Sequence, residues 1–231
     1  MDYRGKYFSV VGDSISTLLG TIPDGYALYY DENNKKLAGI EREEDTWWGQ
    51  IISRLGGRLL KNDSWSGSTV SYHAEFTPGS FAHLDSRMSR LGDGDIKPDV
   101  IMIYMGVNDW ASGTPIEADG DMEERQSFCG SYRIMLDLIK SHYPDAEVWC
   151  ISPAVSTLRG ESGWEFPYCL GGRHLDEYVA AIKKVAGEKG CIFVDANKNT
   201  TPVDALDGIH PDKNGMKTLA DEILKARGIN A

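Results

Sequence analysis

Gly12-Asp13-Ser14 stands where the apolar run Tyr7-Phe8-Ser9-Val10-Val11 ends, and that placement makes Ser14 a candidate nucleophile. A buried strand followed by a tight glycine turn aims a side chain into the crevice beyond the carboxyl end of a parallel sheet. A serine hydroxyl is a weak nucleophile near neutral pH and needs a base beside it. The candidate base lies near the C-terminus, in Asp207-Gly208-Ile209-His210-Pro211. Histidine is the side chain that ordinarily changes charge near neutrality. Asp207, three residues ahead of His210, has the type and spacing to accept the Nδ1 proton, fix the tautomer and steady the imidazolium. Pro211 suits a helix start, with Asp212 to Arg227 as an amphipathic helix behind it, so His210 is expected at a helix entrance.

Acyl transfer also needs donors aimed at the oxygen that turns negative in the tetrahedral intermediate. Two segments that follow expected strands carry such groups. Asn62-Asp63-Ser64-Trp65-Ser66-Gly67-Ser68-Thr69 comes after Arg58 to Lys61, and Gly67 offers a backbone N–H with no side chain in the way. Gly106-Val107-Asn108-Asp109 comes after Val100 to Met105, a run apolar enough for a central parallel strand. Asn108 there can turn its amide NH₂ into the crevice. Asp109 reads as a local cap or hydrogen-bond anchor rather than a proton carrier, and Asp13 or Ser14 also has the type to cap a helix.

Gly12-Asp13-Ser14-Ile15, Asn62 to Gly67, Gly106-Val107-Asn108-Asp109 and Asp207 to His210 resemble, in order and span, the four sequence blocks of the SGNH (GDSL) hydrolase family. The family's four named residues fall on Ser14, Gly67, Asn108 and His210, with Asp207 in its usual carboxylate position. The resemblance covers nearly the whole chain. It implies a flavodoxin-like, three-layer α/β/α sandwich with a five-stranded parallel sheet, and a serine esterase or acylhydrolase that uses no cofactor. It implies Ser14, Asp207 and His210 as the catalytic residues, with an oxyanion hole made by the backbone N–H groups of Ser14 and Gly67 and the amide of Asn108. Ser64 departs from the pattern, since many relatives have glycine there; Gly67 stays in register, but the local turn is less defined.

The rest of the chain reads as the scaffold for these groups. Strand and helix signals alternate, as in a parallel sheet covered on both faces. Five strands are expected, at Tyr7 to Val11, Arg58 to Lys61, Val100 to Met105, Glu147 to Ile151 and Cys191 to Val194. Helices are expected over Trp47 to Leu55 with Thr46 as N-cap, Glu123 to His142, His174 to Glu188, and Asp212 to Arg227. With 231 residues, 41% hydrophobic and 26% charged, the chain can bury a large core in a single domain spanning 1–231.

Composition narrows the partners. A net charge of −11 without a lysine or arginine cluster argues against nucleic acid. No run approaches the roughly 18 apolar residues of a membrane span, and Met1-Asp2-Tyr3-Arg4-Gly5-Lys6 leads into the first strand without an apolar leader, so no membrane and a cytoplasmic location are expected. His73, His83, His142 and His174 lack metal-ligand spacing, and no metal is expected. Cys150 and Cys191 fall within expected strands and no Cys-x-x-Cys pair occurs, which fits reduced, structural thiols.

Three long segments after strands are expected to wall the substrate site: Leu19 to Asp45 with Tyr26, Tyr29 and Tyr30, Trp110 to Met122, and Ala154 to Gly172 with Trp164, Phe166 and Tyr168. Trp110, two residues after Asn108, is expected to bind substrate by bounding a short acyl pocket. No long apolar lid is evident, so a small ester fits better than a long-chain triglyceride. The expected substrate is a short acyl group, such as acetyl, on a carbohydrate or other small alcohol. Thioester or lysophospholipid hydrolysis would use the same residues and stays open. A non-catalytic glycan-binding protein of the same fold also stays open; it predicts loss of Ser14, Asp207 or His210, and all three are present. Oligomeric state is left open.

Overall fold

The apolar runs become parallel strands, because a strand buried on both faces must be apolar along its whole length rather than alternately. The structure is a computed structural model that describes residues 2–197 and 201–229. Its strands are β1 (Tyr7–Gly12), β2 (Arg58–Ser64), β3 (Val100–Tyr104), β4 (Glu147–Ile151), β5 (Ser156–Leu158), β6 (Ile192–Val194) and β7 (Val203–Ala205). Five of them form one sheet in the order β2-β1-β3-β4-β6, every pairing parallel. β3 is buried throughout and sits in the middle; β2, with exposed Arg58 and half-buried Lys61, forms an edge. This is the flavodoxin-like order, in which connections leave β1 and β3 in opposite directions and open a crevice over their carboxyl ends.

The helices are α1 (Glu32–Ala38), α2 (Trp47–Arg54), α3 (Asp85–Met88), α4 (Val107–Ala111), α5 (Phe128–His142), α6 (Leu175–Glu188) and α7 (Lys213–Ala226). α2 packs against α7, and α5 packs against α3 and α6, giving the outer layers of an α/β/α sandwich. The start of α2 shows how local sequence feeds the site. Thr46 Oγ1 accepts from the Gly49 N–H at 3.0 Å, a cap that contributes about 1 kcal/mol. Trp47 and Trp48 then enter the core, fully buried, with both indole N–H groups turned toward Ser16 beside Ser14.

Three details differ from the sequence expectation. The helix expected from Glu123 is split: Glu124–Gln126 make a 3-10 turn, and Ser127 starts α5 anew by accepting from the Gly130 N–H at 3.2 Å. Pro211 is not the first helical residue. It bridges to Ala205, and Asp212 caps α7 by accepting from the Asn214 and Gly215 N–H groups at 3.0 Å each. The carboxylate satisfies two otherwise unpaired helix N–H groups, which a proline cannot do. Finally, β5 and β7 form a second, two-stranded parallel sheet outside the main one; strands of three residues are too short to show a period. No helix among the described residues is long and apolar enough to cross a membrane.

Candidate active site

β1 delivers Ser14 to the crevice through a turn that admits no side chain at position 12. A Cβ on Gly12 would overlap Ser16 Cβ and crowd Ser64 Oγ, so the glycine is required by close approach. Asp13 caps the short 3-10 turn Ser14–Ser16, its Oδ1 accepting from the Ile15 N–H at 3.0 Å. Ser16 is held in turn: its carbonyl accepts from Trp48 Nε1 and Asn62 Nδ2 at 3.0 Å each, and its hydroxyl accepts from Trp47 Nε1 at 3.2 Å. Two indoles and one amide thus fix Ser16 beside Ser14, while Ser14 itself is 6% exposed.

The candidate base, His210, arrives from the other end of the chain. β7 pairs with β5, and the segment 206–211 that follows closes on itself, the Leu206 N–H donating to the His210 carbonyl at 2.8 Å. Gly208 takes φ +84°, a left-handed conformation, and a Cβ there would come within 2.5 Å of the Trp164 ring that packs on the loop. Asp207 Oδ1 accepts the backbone N–H groups of Ile209 at 3.1 Å and His210 at 2.9 Å. Its Oδ2 lies 2.8 Å from His210 Nδ1, and His210 Nε2 lies 2.9 Å from Ser14 Oγ, a contact between residues 196 apart in sequence. Partial burial works against the Asp207 charge, but the His210 side-chain and backbone bonds and the Ile209 N–H outweigh it, holding the carboxyl well below the usual carboxylate range. An ionised Asp207 accepts only, so the imidazole hydrogen sits on Nδ1 and Nε2 faces the Ser14 hydroxyl as an acceptor.

The loops after β2 and β3 meet over the end of β1. Gly67, at φ +78° and exposed, has open space where a Cβ would stand, and its N–H has no protein acceptor among the described residues. Asn108 lies on α4 rather than in a loop, and its Nδ2 donates to the Ser68 carbonyl at 2.9 Å. The Gly67 loop is anchored from below by two buried groups. Asp109 accepts the N–H groups of Val70 at 2.9 Å and Ser71 at 3.1 Å, which is the anchoring role expected of it. Arg87, fully buried, donates from Nε to Asp63 Oδ1 at 2.7 Å and from Nη1 to Ser68 Oγ at 2.7 Å. Ser64, the departure from the family pattern, is buried in β2 with its hydroxyl bonded to Asn62 Oδ1, and Gly67 keeps its turn.

Trp110 is near these groups but is not an open wall. Its ring is 1% exposed, stacks on Phe166 with centroids 5.3 Å apart, and donates from Nε1 to the Tyr168 carbonyl at 3.0 Å. It lines a cavity of about 10 Å³ together with Ile15, Val107, Phe166 and Ile209. Three of those liners are chain neighbours of Ser14, Asn108 and His210. Such a volume holds roughly one water- or methyl-sized group. A larger cavity, about 620 Å³, runs along β2 past Lys61, Arg90 and Tyr143; it is lined by none of Ser14, Gly67, Asn108 or His210, so the chemistry and the volume lie in different places.

One participant has no marker in the sequence. The Tyr29 ring lies flat on the His210 imidazole, centroids 3.5 Å apart and 8° between planes, and its hydroxyl donates to Asp207 Oδ2 at 3.1 Å. Tyr29 is visible beforehand only as one of three tyrosines in a long loop, and its partner is 178 residues away.

A hydroxyl, an imidazole and a carboxylate in line at these distances form an arrangement suited to base-assisted attack on a carbonyl. Relatives point the same way. A family model described as GDSL-like lipase/acylhydrolase matches residues 6–161. No curated protein sequence matches the chain. Among solved structures, one described as a GDSL-like lipase from Bacteroides ovatus superposes with a TM-score of 0.73 at 22% identity, covering 97% of this chain and 98% of the other. Another so described, from Bacteroides uniformis, gives 0.71 at 25% identity with 97% and 96% covered. Est24, a carbohydrate acetylesterase from Sinorhizobium meliloti, gives 0.61 at 16% identity with 96% and 97% covered. The family match ends before Asp207 and His210, which the fold alone brings back to Ser14. Because that match takes in the first four strands of the sheet and about two thirds of the chain, the protein belongs to the GDSL-like lipase/acylhydrolase family and is a hydrolase.

Proposed function

We propose that the chain is a serine esterase that removes short acyl groups, acetyl foremost, from a carbohydrate or another small alcohol through an acyl-enzyme on Ser14. The observation that carries this reading is His210, whose two ring nitrogens bridge Ser14 Oγ at 2.9 Å and Asp207 Oδ2 at 2.8 Å. Ser14 Oγ attacks the ester carbonyl as His210 Nε2 takes its proton, and Asp207 stabilises the imidazolium. The carbonyl oxygen becomes an oxyanion held by the N–H groups of Ser14 and Gly67 and by the Asn108 amide hydrogen that Ser68 leaves free. The intermediate collapses, and the alcohol departs with the proton from Nε2. Water, deprotonated by the same nitrogen, then attacks the acyl-enzyme and releases the acid and Ser14.

Two features support a short acyl group. The cavity between Ile15, Val107, Trp110 and Ile209 has room for about one methyl. The carbohydrate acetylesterase Est24 shares the fold. Hydrolysis of p-nitrophenyl esters from acetyl to dodecanoyl and of acetylated sugars, with a serine-directed phosphonate, tests the reading. Turnover of acetyl esters and a phosphonate adduct on the Ser14 peptide are expected. Sugar binding without turnover or adduct sinks it in favour of a binding protein; preference for thioesters or lysophospholipids keeps the chemistry and corrects the substrate.

A further inference from the structure

Residues 19–31 leave the nucleophile turn and fold back over the His210 loop, and the point of closest return is a pair of tyrosines. The Tyr29 N–H donates to Thr17 Oγ1 at 3.0 Å, and the Thr17 hydroxyl donates to the Ser14 carbonyl at 2.9 Å. On the other side, the Tyr29 ring covers one face of the His210 imidazole at 3.5 Å and its hydroxyl reaches Asp207 Oδ2, the oxygen that accepts from His210 Nδ1. Tyr30, fully buried, donates its hydroxyl to the Pro211 carbonyl at 2.7 Å and meets the Tyr29 ring edge-on. The pair therefore clamps the segment carrying Ser14 to the segment carrying His210.

We infer that Tyr29 is a positioning residue that holds the imidazole plane of His210, and shares the Asp207 carboxylate, so that Nε2 stays aimed at Ser14. This rests on the esterase reading of the same site. The need for such a residue is physical. Rotation about the ring bond of histidine is a broad, shallow torsion, the Asp207 side chain is 48% exposed, and water can compete for both. A flat aromatic contact removes water from one imidazole face and resists rotation out of plane. When Nε2 takes the serine proton, the imidazolium also rests against a π face, which favours the cation. Burial and the Asp207 charge both make the Tyr29 hydroxyl a weaker acid than usual, so it serves as a donor and not as a base. Among the described residues, the ionisable groups hydrogen-bonded to or stacked on His210 are Asp207 and Tyr29, with the Ser14 hydroxyl at Nε2.

Two variants separate the ring from the hydroxyl. Tyr29→Phe keeps the stack and leaves Asp207 Oδ2 to His210 alone; kcat falls by less than about threefold and the acid limb of the kcat/KM profile moves to higher pH. Tyr29→Leu loses both contacts; kcat on p-nitrophenyl acetate falls about 10- to 100-fold with KM within about threefold, and its acid limb lies below that of Tyr29→Phe. The His210 Hε1 resonance, assigned by its loss in His210→Gln, is shifted upfield by the Tyr29 ring in the wild type and in Tyr29→Phe and returns downfield in Tyr29→Leu. That signal requires no turnover, so it reads Tyr29 even if the esterase reading fails. An Hε1 shift unaltered in Tyr29→Leu, or both variants sharing the wild-type pH profile while only Tm drops, overturns the inference and makes Tyr29 a packing residue.

Discussion

Asn108 Nδ2 donates to the Ser68 carbonyl at 2.9 Å, joining the loop after β2 to the helix after β3 directly over the end of β1. The bond uses one amide hydrogen and leaves the second for an oxyanion. Asn108→Ala removes both the donor and the tie. kcat is expected to fall about 10²- to 10³-fold with little change in KM, because the lost contact belongs to the transition state. Steady-state kinetics on p-nitrophenyl acetate check this; a raised KM at constant kcat assigns Asn108 to substrate binding instead.

Ser14 and His210 act as one unit if the 2.9 Å contact between them is the path of the proton. Ser14→Ala and His210→Ala are each expected to cost about 10⁴ to 10⁶ in kcat, and the double variant little more than either. Retention of a tenth of wild-type turnover by Ser14→Ala ends the proposed mechanism.

Chain-length preference reports on the small cavity. Each methylene that finds room adds about 0.8 kcal/mol, or about fourfold in kcat/KM, and a cavity with room for one methyl reverses that gain in acyl groups longer than acetyl. Trp110→Ala removes a buried wall, so the optimum is expected to move to longer chains while stability drops by about 3 to 5 kcal/mol. An optimum unmoved in Trp110→Ala, or a wild-type optimum at about eight carbons or more, removes the cavity from the acyl site.

Asp13 gives a pH signature of its own. Burial raises its carboxyl to about 7, against the pull of the Ile15 N–H bond and with help from the Asp109 charge. Its Oδ2 has no partner among the described residues. Between the unfolded value near 4 and about 7 the native state holds the extra proton, so stability falls as pH rises through that window, by about 1.4 kcal/mol per pH unit at most. Asp207 has the opposite sign: its native value is depressed, so its contribution is complete above about pH 5 and is lost only at lower pH. Asp13→Asn keeps an oxygen for Ile15 and drops the charge. Its Tm is therefore expected to decline less than that of wild type between about pH 5 and pH 8, measured by thermal denaturation. Parallel Tm profiles for the two proteins rule out titration of Asp13 in that range.

Much of this protein is legible in its chain. β3 is apolar along its length, and β1 and β4 are so apart from Ser9 and Glu147, because both faces of a central parallel strand are covered, and Thr46 and the amphipathic run of α7 mark helices by local chemistry alone. The residue types at Ser14, Gly67, Asn108, Asp207 and His210 declare themselves, since few side chains suit the roles of nucleophile, base and oxyanion donor. The split before α5 and the role of Asp212 over Pro211 turn on which side chain wins a backbone N–H, and neighbours settle that contest more than propensity does. Only the fold decided that Trp110 would face a methyl-sized cavity from within the core, that β5 and β7 would hold the His210 loop, and that Tyr29 would lie on His210. Periodicity and spacing report on contacts within a few residues along the chain. A stack between positions 29 and 210 depends on how loops from distant strands return to one sheet end, and nothing local to either residue encodes that distance.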